Sequence, residues 1–478
     1  MSIELKLKKY TAEDIARITG GRLENYGADE KLEHSFISTD SRDVSTGVIF
    51  CAIKGENVDG NDYIKNAAEL GCDLCICQYV PEDAKKEKIC AIIVEDTIKA
   101  IGDIASDYRN ASKAKFIGVT GSVGKTTTKE FIYAVASSAF KTHKTQGNYN
   151  NTLGLPLTIF GLEPDDEVAV LEMGMSELGE IEYMSRIARP DLAVITTIGT
   201  SHLASLGTRE NICKAKMEIR YGLSKEGTLL LNGDDPYLTT AAEKIDNKVK
   251  FFGLASSTSE FRALNIRQKD DTSVFDLLYN GKALTNVEIP VLGKHNVGNA
   301  LAAFAVGTML GLSDEQIRSG LMNFVNVDKR QKIYSVHNIT VIDDCYNASP
   351  ESMRAAIDVL TQMALKKKAL PCALLGDMLE LGDNSRMMHD QIGQYAAQMG
   401  VQKLFCYGMQ ADTIAEAAIR NGIRADNVFV CLDKNHPEIM ADMINGAMDG
   451  SEILLVKASR GVKAENVIEC LKKIKVKK

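Results

Sequence analysis

The chain reads as an α/β protein of three domains, each built on a sheet with helices packed over it. Three observations predict this. Apolar, strand-like segments alternate with helical stretches over most of the 478 residues, the pattern of mostly parallel sheets. A glycine loop, Thr120 to Thr128, joins one such strand to a helix. Polar residues able to do chemistry cluster just past the ends of predicted strands, where open α/β sheets gather their ligands. A chain of this length exceeds one core. Three regions separate by pattern: 1–112, with short strand signals; 113–326, a central domain that opens at the glycine loop; and 327–478, a Rossmann-like, doubly wound domain.

In the first region a helix is expected at Thr11–Thr19, followed by short strands. Cys72, Cys75 and Cys77 fall in Leu70–Val80, which alternates like a buried strand. No second Cys pair or paired His completes a four-ligand set, so these read as packed thiols and not as a zinc site. The central region opens with the strand Phe116–Val119 and the helix Thr126–Ala139. Strands follow at Val168–Met173, Leu192–Thr197, Gly227–Leu231 and Val249–Phe252. Arg262–Val291, with its Asn280-Gly281 turn signal, reads as an antiparallel insertion. A long helix is expected from Asn296 to Leu310, and Ser313-x-x-Gln316 is a capping box. The third region places strands at Ile339–Asp343, Cys372–Leu375, Lys403–Tyr407, Val428–Cys431 and Ile453–Val456, with helices such as Glu351–Met363 and Gln391–Met399 between them.

Composition excludes several classes. Net charge is −8, hydrophobic residues make up 45% and charged residues 25%, ordinary for a soluble globular protein. No Lys/Arg stripe with interleaved aromatics appears, so nucleic acid is not an expected partner. No apolar run reaches the ~18–20 residues a bilayer span needs. Met1–Lys9 lacks the apolar stretch of a secretion signal. The expectation is a cytoplasmic monomer with reduced thiols.

The loop Thr120-Gly121-Ser122-Val123-Gly124-Lys125-Thr126-Thr127-Thr128 is suited to a nucleotide triphosphate. Glycines let backbone N–H groups turn toward an anion, and the helix N-terminus adds partial positive charge. Lys125 is placed for the outer phosphates and Thr126 for Mg²⁺. Val119 stands where the usual G-x-x-x-x-G-K-[ST] loop has its first glycine, so this loop is a shorter variant. Glu172 ends the next strand, where such enzymes put a Mg²⁺ partner. His202 follows a third strand end, as either a structural or a metal-site histidine. Lys214–Ile219, including Lys216, looks by pattern like an exposed helix face. Asn148, Asn150 and Asn151 form a turn-type loop shortly after the phosphate-loop helix, a position compatible with holding substrate or water. Asn296 and Asn299 open the long helix, as caps or as adenine contacts. Arg330 offers a cation for a transferring phosphoryl group.

Together these residues resemble the Mur ligase family, ATP-dependent amide-forming enzymes of bacterial peptidoglycan synthesis. The resemblance spans the whole chain and rests on the short phosphate loop and four further stretches: Ala52–Asn57, Gly147–Pro156, Asp343–Pro350 and Leu375–Gly382. These are most similar to the member that adds D-alanyl-D-alanine to UDP-N-acetylmuramoyl-tripeptide. It implies ATP and Mg²⁺ at Gly121, Ser122, Gly124, Lys125, Thr126 and Thr127. It implies metal-site roles for Thr126, Glu172, His202 and a carbamoylated Lys216, which reverses the exposed-helix reading. It puts Asn296 and Asn299 beside adenine, Asp344 on the ribose and Arg330 on the γ-phosphate. Asp40, Ser41, Arg42, Lys54 and Gly55 would bind the UDP-sugar. Asn150, Asn151, Asn347 and Ser349 would lie near the rest of the substrates. Three positions depart from the family pattern: Ser349 replaces an Asn, Ala458 a Gly, and Lys329 the Gly before Arg330.

The implied chemistry is carboxylate activation by ATP to an acyl phosphate, then amide formation with the amine. Two rivals remain at this level. One is another amide ligase of the superfamily, of the folylpolyglutamate or cyanophycin type. The other is a nucleotide-binding protein without turnover.

Overall fold

The computed structural model describes residues 2–474. Its strands form three sheets. The first has the order Ile3–Glu4, Phe36–Ser38, Val48–Cys51, Leu74–Cys77, Cys90–Ile93, Arg22–Asn25. Its helix Ala12–Thr19 starts at a capping box made by Thr11 and Asp14 and stops at Gly20, φ 68°, so one cap at each end fixes its length. Cys72, Cys75 and Cys77 are all buried, as packed thiols would be. The expected strand Leu70–Val80 shortens to Leu74–Cys77, because Leu70 closes the helix Ile64–Glu69.

The central sheet has nine strands. From Thr142–Lys144 through Val168–Glu172, Lys115–Thr120, Leu192–Ile195, Thr228–Asn232 and Lys248–Gly253, neighbours run parallel. The segment expected as an insertion extends this sheet. Phe261–Lys269, Thr272–Tyr279 and Lys282–Ile289 add an antiparallel edge. Asn280 and Gly281 turn at φ 47° and 74°, both left-handed, as a two-residue hairpin turn requires. The phosphate-loop helix runs Lys125–Ala136 and the long helix Lys294–Met309. They pack through Phe131, Ile132, Val135, Leu301 and Phe304, all fully buried. Each such side chain contributes about 1.5–3 kcal/mol on leaving water, so the loop in front of this pair rests on a rigid base.

The third sheet has the order Lys332–Val336, Ile339–Asp343, Glu452–Lys457, Leu370–Gly376, Lys403–Tyr407, Val428–Cys431. All but the first strand run parallel. Separate apolar clusters cover its two faces, one built on the helix Pro350–Lys367 and one on Pro437–Ala447 with Glu465–Lys473, which makes it doubly wound. The first and central domains share a core. Helix Thr97–Asn110 contributes Ile101, Ile104 and Tyr108 to the same cluster as Phe116, Leu155 and Ile181.

Candidate active site

The main cleft, about 790 Å³, opens between the central and third domains. The strand ends of both sheets feed it. Its walls carry Ser122, Gly124, Lys125, Thr126, Thr127, Asn150, Asn151, Glu172, His202, Asn296, Asn299, Arg330, Asp344, Asn347 and Ser349. Gly121 and Lys216 are buried and do not line it. Asp40, Ser41, Arg42, Lys54 and Gly55 are not brought to this cleft.

The loop geometry is dictated by close packing. Gly121 has φ 147°, and a Cβ there would sit 1.9 Å from Thr196 Oγ1. That same hydroxyl donates to Val123 O at 2.6 Å, which clips the loop shut. Gly124 caps the helix at φ 87°, and its absent Cβ leaves room for Asn299 Oδ1. Lys125 Nζ donates to Gly121 O at 2.7 Å. Burial lowers the Lys125 pKa from its ordinary range, partly opposed by Glu172.

Thr126 is the hub. Its hydroxyl donates to Glu172 Oε1 at 3.1 Å and accepts from Arg330 Nη2 at 3.0 Å. Glu172 Oε1 also accepts from Asn150 Nδ2 at 2.8 Å, while Oε2 is buried without a hydrogen-bond partner. Behind it lies Lys129, which pattern reading missed. Its Nζ is 3.9 Å from Glu172 Oε2, 2.9 Å from Glu130 Oε1, and donates to Thr145 O at 2.8 Å. The available signal was its spacing, one helical turn after Lys125.

Lys216 overturns the exposed-face reading. It is fully buried and its Nζ has no hydrogen-bond partner. Burial, and then the charge of Lys125, push its pKa well below the ordinary lysine value. Helix Arg209–Met217 turns Ala215, Lys216 and Met217 inward and leaves Lys214 outside.

His202, at φ 65°, puts Nδ1 2.8 Å from Glu380 Oε2 of the third domain. That contact holds the Glu380 carboxyl below its ordinary range. Asn296 does not cap its helix, since Gly293 does. Its amide donates to Leu292 O and to Gln331 Oε1, both at 2.8 Å, and Asn299 accepts from Thr128 at 3.1 Å. Asp344 accepts from Lys457 Nζ at 2.6 Å. Lys457 also donates to Asn347 O at 3.0 Å.

The three departures from the family pattern have physical accounts. Ser349 caps helix Pro350–Lys367, with Ser352 completing the box, a task Ser and Asn share. Its hydroxyl is committed to that cap. Ala458 is buried against Gly376, where only hydrogen faces its methyl. Lys329 keeps a glycine-like φ of 61° and pairs with Glu465 at 2.8 Å. In the first domain Arg42 grips Asp40 through two hydrogen bonds, 2.9 and 2.7 Å, and holds its carboxyl far below the ordinary range. Lys54 and Gly55 are exposed.

Among the described residues, no group of three or more His, Cys, Asp or Glu side chains is arranged to hold a metal. Mg²⁺ rarely uses such a cage; it keeps waters and takes phosphate oxygens with one or two protein ligands. Thr126 beside Glu172, whose Oε2 has no hydrogen-bond partner, fits that habit.

Residues 33–109 match the family model for the Mur ligase family catalytic domain, 119–307 the Mur ligase middle domain, and 329–460 the Mur ligase glutamate ligase domain. The chain belongs to the Mur ligase family. A UDP-N-acetylmuramoyl-tripeptide--D-alanyl-D-alanine ligase of Bacillus subtilis is 37% identical over 467 residues, 97% of this chain and 98% of the relative. The Escherichia coli enzyme of that name is 33% identical, over 85% and 88% of the two chains. The crystal structure of MurF from Acinetobacter baumannii superposes with a TM-score of 0.86 at 30% identity, covering 98% of this chain and 99% of that one. MurF from Thermotoga maritima in complex with ADP gives 0.81 at 26% identity, over 91% and 97%. This Mur ligase therefore has the family's three-domain architecture, and it is an ATP-using, peptide-bond-forming enzyme.

Proposed function

We propose that this Mur ligase joins D-alanyl-D-alanine to UDP-N-acetylmuramoyl-tripeptide in peptidoglycan precursor synthesis. The observation that carries the reading is the shared hydroxyl of Thr126, which links the phosphate loop, Glu172 and the third-domain Arg330 in one contact set. A site that places a cation from a second domain on the phosphate loop is built for a transferring γ-phosphate. The names of the relatives support the choice of substrates.

In this mechanism a carboxylate oxygen of the tripeptide attacks the γ-phosphorus of ATP. The bond to the β-bridging oxygen breaks, and ADP and an acyl phosphate form. The amine nitrogen of the dipeptide then attacks the acyl carbon, loses a proton, and phosphate leaves. Lys125 and Arg330 hold the phosphoryl oxygens and offset their charge. Asn296 and Asn299 line the adenine side, and Asp344, released from Lys457, reaches the ribose. Asn150, Asn151, Asn347 and the cap at Ser349 flank the reacting ends. Asp40, Ser41 and Arg42 with Lys54 and Gly55 hold the UDP-sugar. Mg²⁺, held by Thr126 and Glu172 with His202 and a carbamoylated Lys216 serving a second ion, would supply charge neutralisation on the phosphates. Lys216 is suited to carbamoylation: as a neutral amine its nitrogen adds to the carbon of CO₂ and releases a proton, which leaves an anion where a neutral buried amine stood.

The same reading divides the chain at 112/113 and 326/327 and takes the enzyme as a cytoplasmic monomer. Among the described residues no helix is long and apolar enough to cross a membrane. The test is phosphate release from ATP in the presence of UDP-N-acetylmuramoyl-tripeptide, with and without D-alanyl-D-alanine. Release that requires the amine supports the reading, and release with a folate plus glutamate instead would overturn it.

A further inference from the structure

Glu380 has no part in the reaction as set out above, yet it makes two contacts across the cleft. Its Oε2 lies 2.8 Å from His202 Nδ1, and its carbonyl accepts from Ala204 N at 3.0 Å. Both His202 and Glu380 hold φ at 65°. Residues other than glycine adopt that backbone uncommonly, and beyond turns and helix ends such positions are enriched at functional sites. The loop carrying Glu380 is braced from behind. Met378 N donates to His389 Nε2 at 2.8 Å, and Leu379 N to Ser459 Oγ at 2.9 Å. Glu351, at the start of its own helix, accepts from Thr200 Oγ1 at 3.1 Å. Two third-domain carboxylates thus land on residues 199–204 of the central domain.

We propose that Glu380 is a positioning residue for the ligase reaction. It accepts the Nδ1 proton of His202, fixes the tautomer and ring orientation, and leaves Nε2 as the nitrogen with a free lone pair. Carboxylates orient imidazoles in this way in many sites. Because Glu380 belongs to the third domain, His202 is oriented only when that domain is closed. Closure and assembly of the site become one event. The Glu380 side chain is 60% exposed, and exposed pairs add little stability. The pair therefore adds little to the stability of the fold; it acts on the orientation of the ring and on the closed arrangement of the two domains.

This inference rests on the ligase reading, and the experiment separates the two. Glu380→Ala, Glu380→Gln, His202→Ala and the double variant are compared by phosphate release with ATP, Mg²⁺, UDP-N-acetylmuramoyl-tripeptide and D-alanyl-D-alanine. Melting temperature and small-angle scattering with ADP are measured on the same proteins. For Glu380→Ala we expect kcat to fall about tenfold or more, with KM for ATP within about threefold. Its melting temperature should be unchanged, and with ADP it should be more expanded than the wild type. Glu380→Gln, which keeps an acceptor oxygen, should recover part of the rate. Added to His202→Ala, the Glu380→Ala change should cost less than about twofold, because coupled residues are not additive. Wild-type kcat in Glu380→Ala, or losses that simply multiply in the double variant, overturn the proposal. If the wild type itself releases no amine-dependent phosphate, the ligase reading falls. Scattering then decides for Glu380 alone: equal compaction with ADP in wild type and Glu380→Ala overturns it.

Discussion

Arg330 donates through Nη2 to the hydroxyl of Thr126 at 3.0 Å, so the third domain touches the phosphate loop directly. The guanidinium also lies 4.2 Å from the centre of the Tyr346 ring. Lysine keeps the charge but has neither the planar fork nor the stacking face. Arg330→Lys should therefore lower kcat by about 10²–10³-fold, the scale of losing one donor to a developing charge. Phosphate-release kinetics checks this, and a variant with more than half the wild-type rate would contradict it.

Gly121→Ala should be costly for the fold as well as for nucleotide binding. The new Cβ would meet Thr196 Oγ1 at 1.9 Å, on a backbone at φ 147°. Strain and overpacking of this kind cost roughly 2–4 kcal/mol together. Denaturant unfolding reads the loss. A shift of only a few tenths of a kcal/mol would mean the loop is looser than its packing indicates.

Lys216 is buried, and its pKa lies well below the ordinary lysine value. Lowering a lysine pKa raises the fraction of neutral amine at neutral pH, the form that reacts with CO₂. Activity should fall in CO₂-depleted buffer and return with added bicarbonate. Lys216→Ala should lose about 10²-fold or more in kcat, with partial rescue by acetate or another short carboxylate. Kinetics unchanged by the substitution would make Lys216 a packing residue.

His389 gives a pH-dependent prediction. Burial holds its pKa below the ordinary 6.5, while its Nε2 accepts from Met378 N. Below about pH 6.5 the unfolded chain binds a proton that the folded protein resists, so stability falls as pH drops through that range. His389→Leu orphans the Met378 N–H, costing about 1–3 kcal/mol at pH 7.5, but it has no proton to resist. The melting-temperature gap between wild type and variant should narrow from pH 7.5 to 5.5. A constant gap would show that His389 is not neutral in the folded protein.

Much of this site is legible before folding because local spacing encodes it. The strand, glycine loop and helix around Lys125 lie within one short stretch, and Glu172 and His202 follow from counting strand ends. The doubly wound third domain is readable for the same reason. Lys216 is not, since which helix face is inward depends on a sheet assembled from distant segments. Read by pattern it is exposed; in the fold it is fully buried. Glu380 lies far from His202 in the chain, and only domain docking brings them to 2.8 Å. Lys129 hides in an otherwise regular helix, and its meaning depends on the Thr145 carbonyl beneath it. The antiparallel strands Phe261–Ile289 are locally readable as hairpins, but residue alternation alone does not say that Phe261 and Arg262 pair in parallel with Phe252 and Gly253 and so extend the central sheet.

The central claim is that the γ-phosphate bound at Thr126 goes to a carboxylate that an amine then captures. Incubation with ATP labelled in the γ-phosphate, UDP-N-acetylmuramoyl-tripeptide and D-alanyl-D-alanine tests it most directly, with product mass and phosphate counted together. One phosphate per new amide, and almost none when the dipeptide is omitted, is the predicted result. Phosphate released at the same rate without the dipeptide, with no gain in product mass, would contradict it.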